Sequence, residues 1–328
     1  MTLAHLRTFL AVLETGGFSA AALELGSAQS AVSYAVAELE RELGAKLLER
    51  GRFGARATAL GDKIAGHARQ MLTLEAAVRQ ESSLAQGKLT GTLRVATFRS
   101  VASHIVPKAM MQLARSYPGL AVQLFEADGD SPELERVLTT GRVELSFLQA
   151  PFPSGLLSWE LLRDPYIALM PRNHPLAHAP VRRRELLESP LILYQDDKCS
   201  VVVEHYLEAV REGSGPFYPN YNVREDSTIA SLVGQGLGLS IGPELAFREL
   251  PESVVRVPLA EPLERTIGVA ILPQSLKIPA VRAFLGALKV QFPESTLPPL
   301  ETFVNLGKST KRSARYPAEC PPEAWLES

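Results

Sequence analysis

The sequence predicts an α plus α/β protein: a small helical N-terminal unit, one long helix, and an α/β region. Three observations predict it. Residues 1–90 hold no proline, the first being Pro107, and are rich in alanine, leucine, glutamate and arginine, a helix-forming mixture. From Gly91 to about Val290, short β-rich runs alternate with helical stretches, as in an α/β sheet. The chain's 328 residues are too many for one core and few for three. Beyond Pro293, proline and charge without periodicity suggest a mobile C-terminal tail over 301–328.

Composition narrows the function classes. An apolar fraction of 46% with 21% charged residues excludes wholesale disorder. No run approaches the roughly 18 uncharged apolar residues of a membrane span, and no secretory leader is visible. A cytoplasmic protein without membrane contact is expected. Cys199 and Cys320 are too far apart in sequence to suggest a disulfide or metal framework, so no metal or cofactor is expected. The net charge of −2 gives no general attraction for nucleic acid, so any basic surface has to be local.

In the N-terminal unit, Leu3, Leu6, Leu10 and Leu13 share one helical face, and Gly16-Gly17 ends that helix. Ser19 stands where a cap is needed for a second helix, which Gly26 closes. Ser27 or Ala28 opens a third, with Val32, Val36, Leu39 and Leu43 on its inner face. A short helix, a turn and an amphipathic helix make a helix-turn-helix. Gln29, Ser30, Ser33 and Tyr34 lie at the outer start of the third helix and have the hydrogen-bonding reach to meet base edges. Residues 47–58 read as a hairpin whose Arg50, Arg52 and Arg56 suit phosphate or the minor groove. Over residues 1–60 six cations balance six anions, so arrangement rather than net charge favours DNA.

The runs Leu6-Arg7-Thr8-Phe9-Leu10-Ala11-Val12, Gly17-Phe18-Ser19-Ala20-Ala21-Ala22, Gln29-Ser30-Ala31-Val32-Ser33, Leu39-Glu40 and Leu43-Gly44 resemble the DNA-binding domain of LysR-type transcriptional regulators. The resemblance continues to about residue 300. It departs at Tyr34, where many relatives carry Arg or Lys, so a bidentate guanine contact is lost there.

Thr58 can cap a linker helix over residues 58–86. Leu60, Ile64, Ala68, Met71, Leu74 and Val78 recur on it at spacings of three and four. So narrow a stripe on a helix of roughly 40 Å suits a partner helix better than a globular core. A paired helix-turn-helix would meet half-sites about 34–36 Å apart. The resemblance implies antiparallel linker pairing, a homodimer and then a homotetramer. Gln86 to Gly91 is the hinge to the α/β part.

Strands are expected over 92–97, 121–126, 144–149, 166–170, 191–194, 238–241 and 267–272. Ser100 is placed to cap the helix after the first. Ser227 or Thr228 is placed to cap the helix over 229–234. Open α/β sheets bind ligands beyond the carboxyl ends of their strands, where both caps lie, and helix starts favour anions. The resemblance implies a periplasmic-binding-protein-like effector domain over 91–300. Lobe I would be 91–163 with 265–300, and lobe II 164–264. A small anionic effector would meet Arg99, Ser100, Asp128 and Gln149 from the first lobe and Ser200, Val201, Asp226 and Ser227 from the second. Two chain crossings form a hinge, so ligand can bias shape.

Other motifs carry less. Gly238-Leu239-Ser240-Ile241-Gly242 matches G-x-S-x-G, but the helix precedes the strand, the reverse of a nucleophile elbow. The glycines from Gly234 to Gly238 have the same inverted order for a phosphate loop. His174 and His178 are separated by Pro175, which breaks the helix a metal pair wants. Cys199 matches the place where peroxide-sensing relatives carry a reactive cysteine, and Arg265 resembles an arginine they keep near it. Lys198, however, stands where their histidine does, and no second cysteine is close in sequence. The expectation is a DNA-binding regulator and not an enzyme. Redox sensing at Cys199 is the alternative within the family. A soluble binding protein with a helical oligomerisation unit is the alternative outside it.

Overall fold

The computed structural model describes residues 1–51, 54–127, 132–195, 198–210 and 219–304, with the backbone alone for Arg50, 198–200 and Val304. The N-terminal unit is α1 (Leu3–Thr15), α2 (Phe18–Glu24), α3 (Gln29–Leu43) and a hairpin of β1 (Leu48–Gly51) and β2 (Gly54–Ala57). The Thr2 hydroxyl caps α1, and Gly16 ends it in the left-handed conformation. Leu6, Phe9, Leu10 and Val12 of α1 pack with Val32, Val36 and Leu39 of α3. Leu3 and Leu43, expected on the inner faces, are exposed instead. In α3 the inward place beside Leu39 goes to Glu40.

Glu40 ties the hairpin to α3. One carboxylate oxygen accepts the N–H groups of Leu47 (2.9 Å) and Leu48 (3.2 Å), and the other accepts Lys46 Nζ at 2.6 Å. Burial pushes this carboxyl up, but those three hydrogen bonds outweigh it and hold it below the usual range. The hairpin also docks on the end of α1, where Ala55 N–H donates to Gly16 O at 2.8 Å. Gly54 makes that approach possible, since a Cβ there would lie 2.2 Å from Gly16 O and its φ is +116°.

Helix α4 (Ala59–Ala85) begins on Thr58, whose side chain accepts Gly61 N–H. It has three faces rather than one stripe. Ala65 and Ala68 join the N-terminal core, and Ala77 joins the core of the α/β region. Leu60, Met71, Leu74 and Val78 are exposed, Val78 at 70%. Ala68 and the half-buried Ile64 therefore leave the expected partner stripe, because α1 covers them.

The α/β region runs β3 (Thr90–Phe98), α5 (Arg99–His104), α6 (Val106–Ser116), β4 (Gly119–Ala127), α7 (Pro132–Thr139), β5 (Leu145–Gln149) and β6 (Leu157–Pro171). It continues with α8 (Arg183–Leu186), β7 (Leu191–Tyr194), α9 (Lys198–Glu208), β8 (Tyr221–Val223), α10 (Asp226–Gly234) and β9 (Leu239–Pro243). It closes with β10 (Val254–Pro258), β11 (Glu264–Ile271), α11 (Pro279–Gln291) and α12 (Leu300–Val304). The strand order is β4-β3-β5-β11-β6-β9-β7-β8, with β10 also on β6.

Strand β6 belongs to both lobes. Leu157 to Pro165 pair with β11, and Tyr166 onward pairs with β9 and β10. The sequence reading had only residues 166–170 of it and neither β8 nor β10. Residues 301–304, expected in a mobile tail, lie in α12, where Phe303 is buried against α11 at Gly286. The rest of that tail, with Cys320, lies outside the described residues. No described helix is long and apolar enough to cross a membrane.

Candidate DNA interface and ligand cleft

The start of α3 presents exposed polar side chains. Gln29, Ser30 and Tyr34 are exposed, Tyr34 at 70%, and Ser33 is half-buried. Arg56 is exposed on β2, with Glu49 its partner in the strand register. Arg50 lies in β1, and Arg52 falls outside the described residues. Each acid of α3 has a cation beside it. Glu38 pairs with Arg41, Glu42 with the N-terminal ammonium, and Glu40 is turned inward onto Lys46. The expected cap at Ser19 is absent because α2 begins earlier, at Phe18, with Gly17 in the capping position. Ala28 leads into α3 as expected.

Between the lobes is a cleft of about 340 Å³, lined by Arg99, Ser100, Ser103, His104, Glu225, Asp226, Ser227, Ala246, Phe247 and Glu249. It opens beyond the carboxyl ends of β3 and β8, as an open α/β sheet requires. Four of the sequence-predicted residues meet there: Arg99, Ser100, Asp226 and Ser227. Arg99 reaches from lobe I to lobe II, donating to Arg224 O at 2.7 Å and lying 3.5 Å from both Glu225 and Asp226. Tyr194 OH donates to Asp226 Oδ1 at 2.7 Å. Burial pushes the Asp226 carboxyl up, against the pull of Tyr194 and Arg99.

Neither expected serine cap forms. Helix α5 begins at Arg99, and Ser100 Oγ accepts a hydrogen bond from Arg265 Nη2 at 2.9 Å instead. Helix α10 begins at Asp226, so Ser227 lies in its first turn, exposed to the cleft, and Glu225 precedes it without a side-chain cap. Gln149 ends β5, half-buried, with Nε2 unpartnered among the described residues, and it is not in the cleft lining. Val201 is 48% exposed on α9. Cys199 and Ser200 fall in the first turn of that helix, and Asp128 lies outside the described residues.

Sequence reasoning put lobe boundaries at Asp164 and Arg265 and named Arg265, but missed that the two residues pair. Asp164 on β6 and Arg265 on β11 face each other where the two strands cross between lobes. Asp164 Oδ2 accepts Arg265 Nε at 2.8 Å, and Oδ1 accepts Leu245 N–H at 2.9 Å. The guanidinium also lies over the Phe98 ring, 5.4 Å from its centroid. No local pattern signals the pairing itself, since its two members come from strands far apart in the chain. Ser103, His104 and Glu249 were missed too. Ser240 of the G-x-S-x-G match is fully buried in β9.

A helix-turn-helix with a hairpin wing, a linker helix and a two-lobed α/β cleft define a ligand-responsive DNA-binding regulator. Residues 3–62 match the family model of the bacterial regulatory helix-turn-helix protein, lysR family, and residues 86–293 match the LysR substrate binding domain. The chain belongs to the LysR family of DNA-binding transcriptional regulators. It is 41% identical over 295 residues to the probable HTH-type transcriptional regulator LrrA of Synechococcus elongatus, covering 90% of this chain and 98% of that one. It is 32% identical over 250 residues to a probable hydrogen peroxide-inducible genes activator of Streptomyces viridosporus, covering 75% of this chain and 79% of the other. Among solved structures, a variant of full-length OxyR from Pseudomonas aeruginosa matches with TM-score 0.71 at 24% identity, over 88% of this chain and 95% of that one. Full-length BenM matches with TM-score 0.54 at 25% identity, over 91% of this chain and all of BenM.

Proposed function

We propose that this regulator is a cytoplasmic, non-enzymatic homotetramer built from linker-helix dimers, and that a small molecule bound between its lobes sets its shape on DNA. The observation that carries the reading is the inter-lobe cleft, in which residues of both lobes converge beside a two-strand hinge. Gln29, Ser30, Ser33 and Tyr34 read base edges, while Arg50, Arg52 and Arg56 meet the backbone or minor groove.

Coupling has a physical route. Arg69 on α4 is 9% exposed and lies against Glu14 of α1 (3.4 Å) and Thr140 O of lobe I (3.5 Å). Burial depresses its pKa, with Glu14 pulling the other way. A change of lobe orientation therefore acts at the contact that seats the DNA-reading unit, and a ligand preferring one orientation shifts the population. The cleft is taken as the sensor rather than Cys199, because the only other cysteine in the chain is Cys320.

Operator selection followed by footprinting, with and without candidate metabolites, tests the function. Two protected half-sites whose spacing or extent changes with one metabolite are expected, and salt-insensitive or absent binding would exclude a DNA-binding role.

The exposed seam on α4 makes pairing testable. Met71→Glu with Leu74→Glu places four charges in a two-helix interface without touching Ala65, Ala68 or Ala77. Dimers are expected to dissociate in sedimentation at micromolar concentration, and operator affinity to fall by about 100-fold or more as paired binding is lost. An unchanged sedimentation coefficient would show that subunits pair elsewhere.

A further inference from the structure

The cleft carries opposite charges in unequal number. Among its lining residues Arg99 is the one guanidinium, against the carboxylates of Glu225, Asp226 and Glu249. His104, also in the lining, is pushed down by burial and by the neighbouring Arg248, and so adds little positive charge at neutral pH. A simple anion entering this space gains one cation and faces three acids. A simple cation meets the acids but has to settle beside Arg99. The existing contacts are themselves an ion pair stretched across the lobes: Arg99 from lobe I sits 3.5 Å from Glu225 and Asp226 of lobe II. That distance is long for a charge-assisted hydrogen bond.

We propose that the effector is an amino-acid-like zwitterion, whose anionic group takes Arg99 and whose ammonium takes Asp226 and Glu225, so that each half of the cross-lobe ion pair exchanges its partner for the ligand. This rests on the cleft being the effector site, as proposed above, and narrows the anionic effector expected from the sequence. The exchange conserves charge pairing on both lobes, which neither a plain anion nor a plain amine does. Asp226 is well placed for the cationic end. Its Oδ1 is fixed by Tyr194 OH at 2.7 Å, and its burial means that a second cation is worth more than on open surface. A volume of about 340 Å³ accommodates a molecule of amino-acid size, and Ala246 with Phe247 offers an apolar wall for a side chain. Because Arg99 joins the lobes directly, replacing that bridge by a ligand-mediated one alters the preferred lobe orientation, which is the differential contact that a switch needs.

The test uses the full chain and three matched probe sets: the protein α-amino acids singly, their deaminated carboxylates, and their decarboxylated amines. Thermal shift finds the binders and calorimetry ranks them. At least one amino acid is expected to bind, with its deaminated and decarboxylated counterparts each weaker by about tenfold or more. Asp226→Asn should abolish the advantage over the deaminated acid, and Arg99→Gln the advantage over the amine. The unliganded melting temperature checks that both variants fold, and Glu225→Gln, at the more exposed of the two acids, supplies a milder variant with the same expected direction as Asp226→Asn. The proposal is overturned if no amino acid binds at millimolar concentration, or if a carboxylate or an amine binds as tightly as the matching zwitterion. A carboxylate whose binding is lost in Arg99→Gln would leave the cleft as effector site and remove only the zwitterion. An amino acid whose binding ignores all three variants would remove the cleft assignment itself.

Discussion

Asp164→Ala is expected to destabilise the α/β region by about 3–5 kcal/mol, because it strands the buried Arg265 guanidinium and the Leu245 N–H in one step. Asp164 is 2% and Arg265 8% exposed, so little water is available to replace the lost carboxylate. Urea unfolding followed by intrinsic fluorescence measures the loss. Asp164→Asn keeps an acceptor for Leu245 and should cost less. The double change Asp164→Leu with Arg265→Met removes both charges and should recover most of the stability. A loss under about 1 kcal/mol in Asp164→Ala would mean that the pair is solvated in solution. The functional corollary concerns Ser100, whose hydroxyl is held by the same guanidinium. Loosening Arg265 therefore disturbs the lobe I wall of the cleft as well as the hinge.

The second large effect is expected at Glu40. Glu40→Ala leaves the N–H groups of Leu47 and Leu48 without an acceptor, and both residues are buried, at 0% and 5% exposure. Each stranded group costs about 1–3 kcal/mol, so a loss of roughly 2–6 kcal/mol is expected in the DNA-binding unit. Hydrogen exchange should show the hairpin amides opening first, and affinity for all duplexes should fall because the wing is no longer held. The pH dependence has a defined sign. Since the folded-state carboxyl is held below its unfolded value, its contribution is complete above the unfolded range and declines as pH falls through the folded one. Glu40→Gln, still an acceptor but neutral, should remove that pH dependence while keeping much of the hairpin. Unchanged amide protection in Glu40→Ala would show that the Gly16–Ala55 contact alone seats the wing.

Much of this architecture was legible from local pattern. The apolar spacing of α1 and α3, the glycine at position 16, the Thr58 cap and the residue 47–58 hairpin are all short-range signals, and the structure shows them in place apart from Leu3 and Leu43 at the helix ends. What the pattern hid depends on partners far along the chain. Ser100 looks like a cap because capping is the common local use of serine. Its actual partner, Arg265, arrives from the return strand. The sequence pattern marks only residues 166–170 of strand β6, a third of its length, beginning just past the Asp164-Pro165 step. That step is where the strand passes from β11 to β9, and the proline needs no ladder N–H at such a point. The linker stripe merged two faces, since a period of three and four does not tell which apolar residues meet another subunit and which meet their own domain. Glu40 sits where a polar residue is expected outside, and only the fold reveals the amides that it serves.

The most direct test of DNA reading by the start of α3 compares wild type with Gln29→Ala on the selected operator and on random duplex, across a salt series. The expected result is a loss of about 1–3 kcal/mol on the operator, little change on random DNA, and an unaltered salt slope. Equal losses on both duplexes, or no loss on either, would contradict the assignment of that helix start to the major groove.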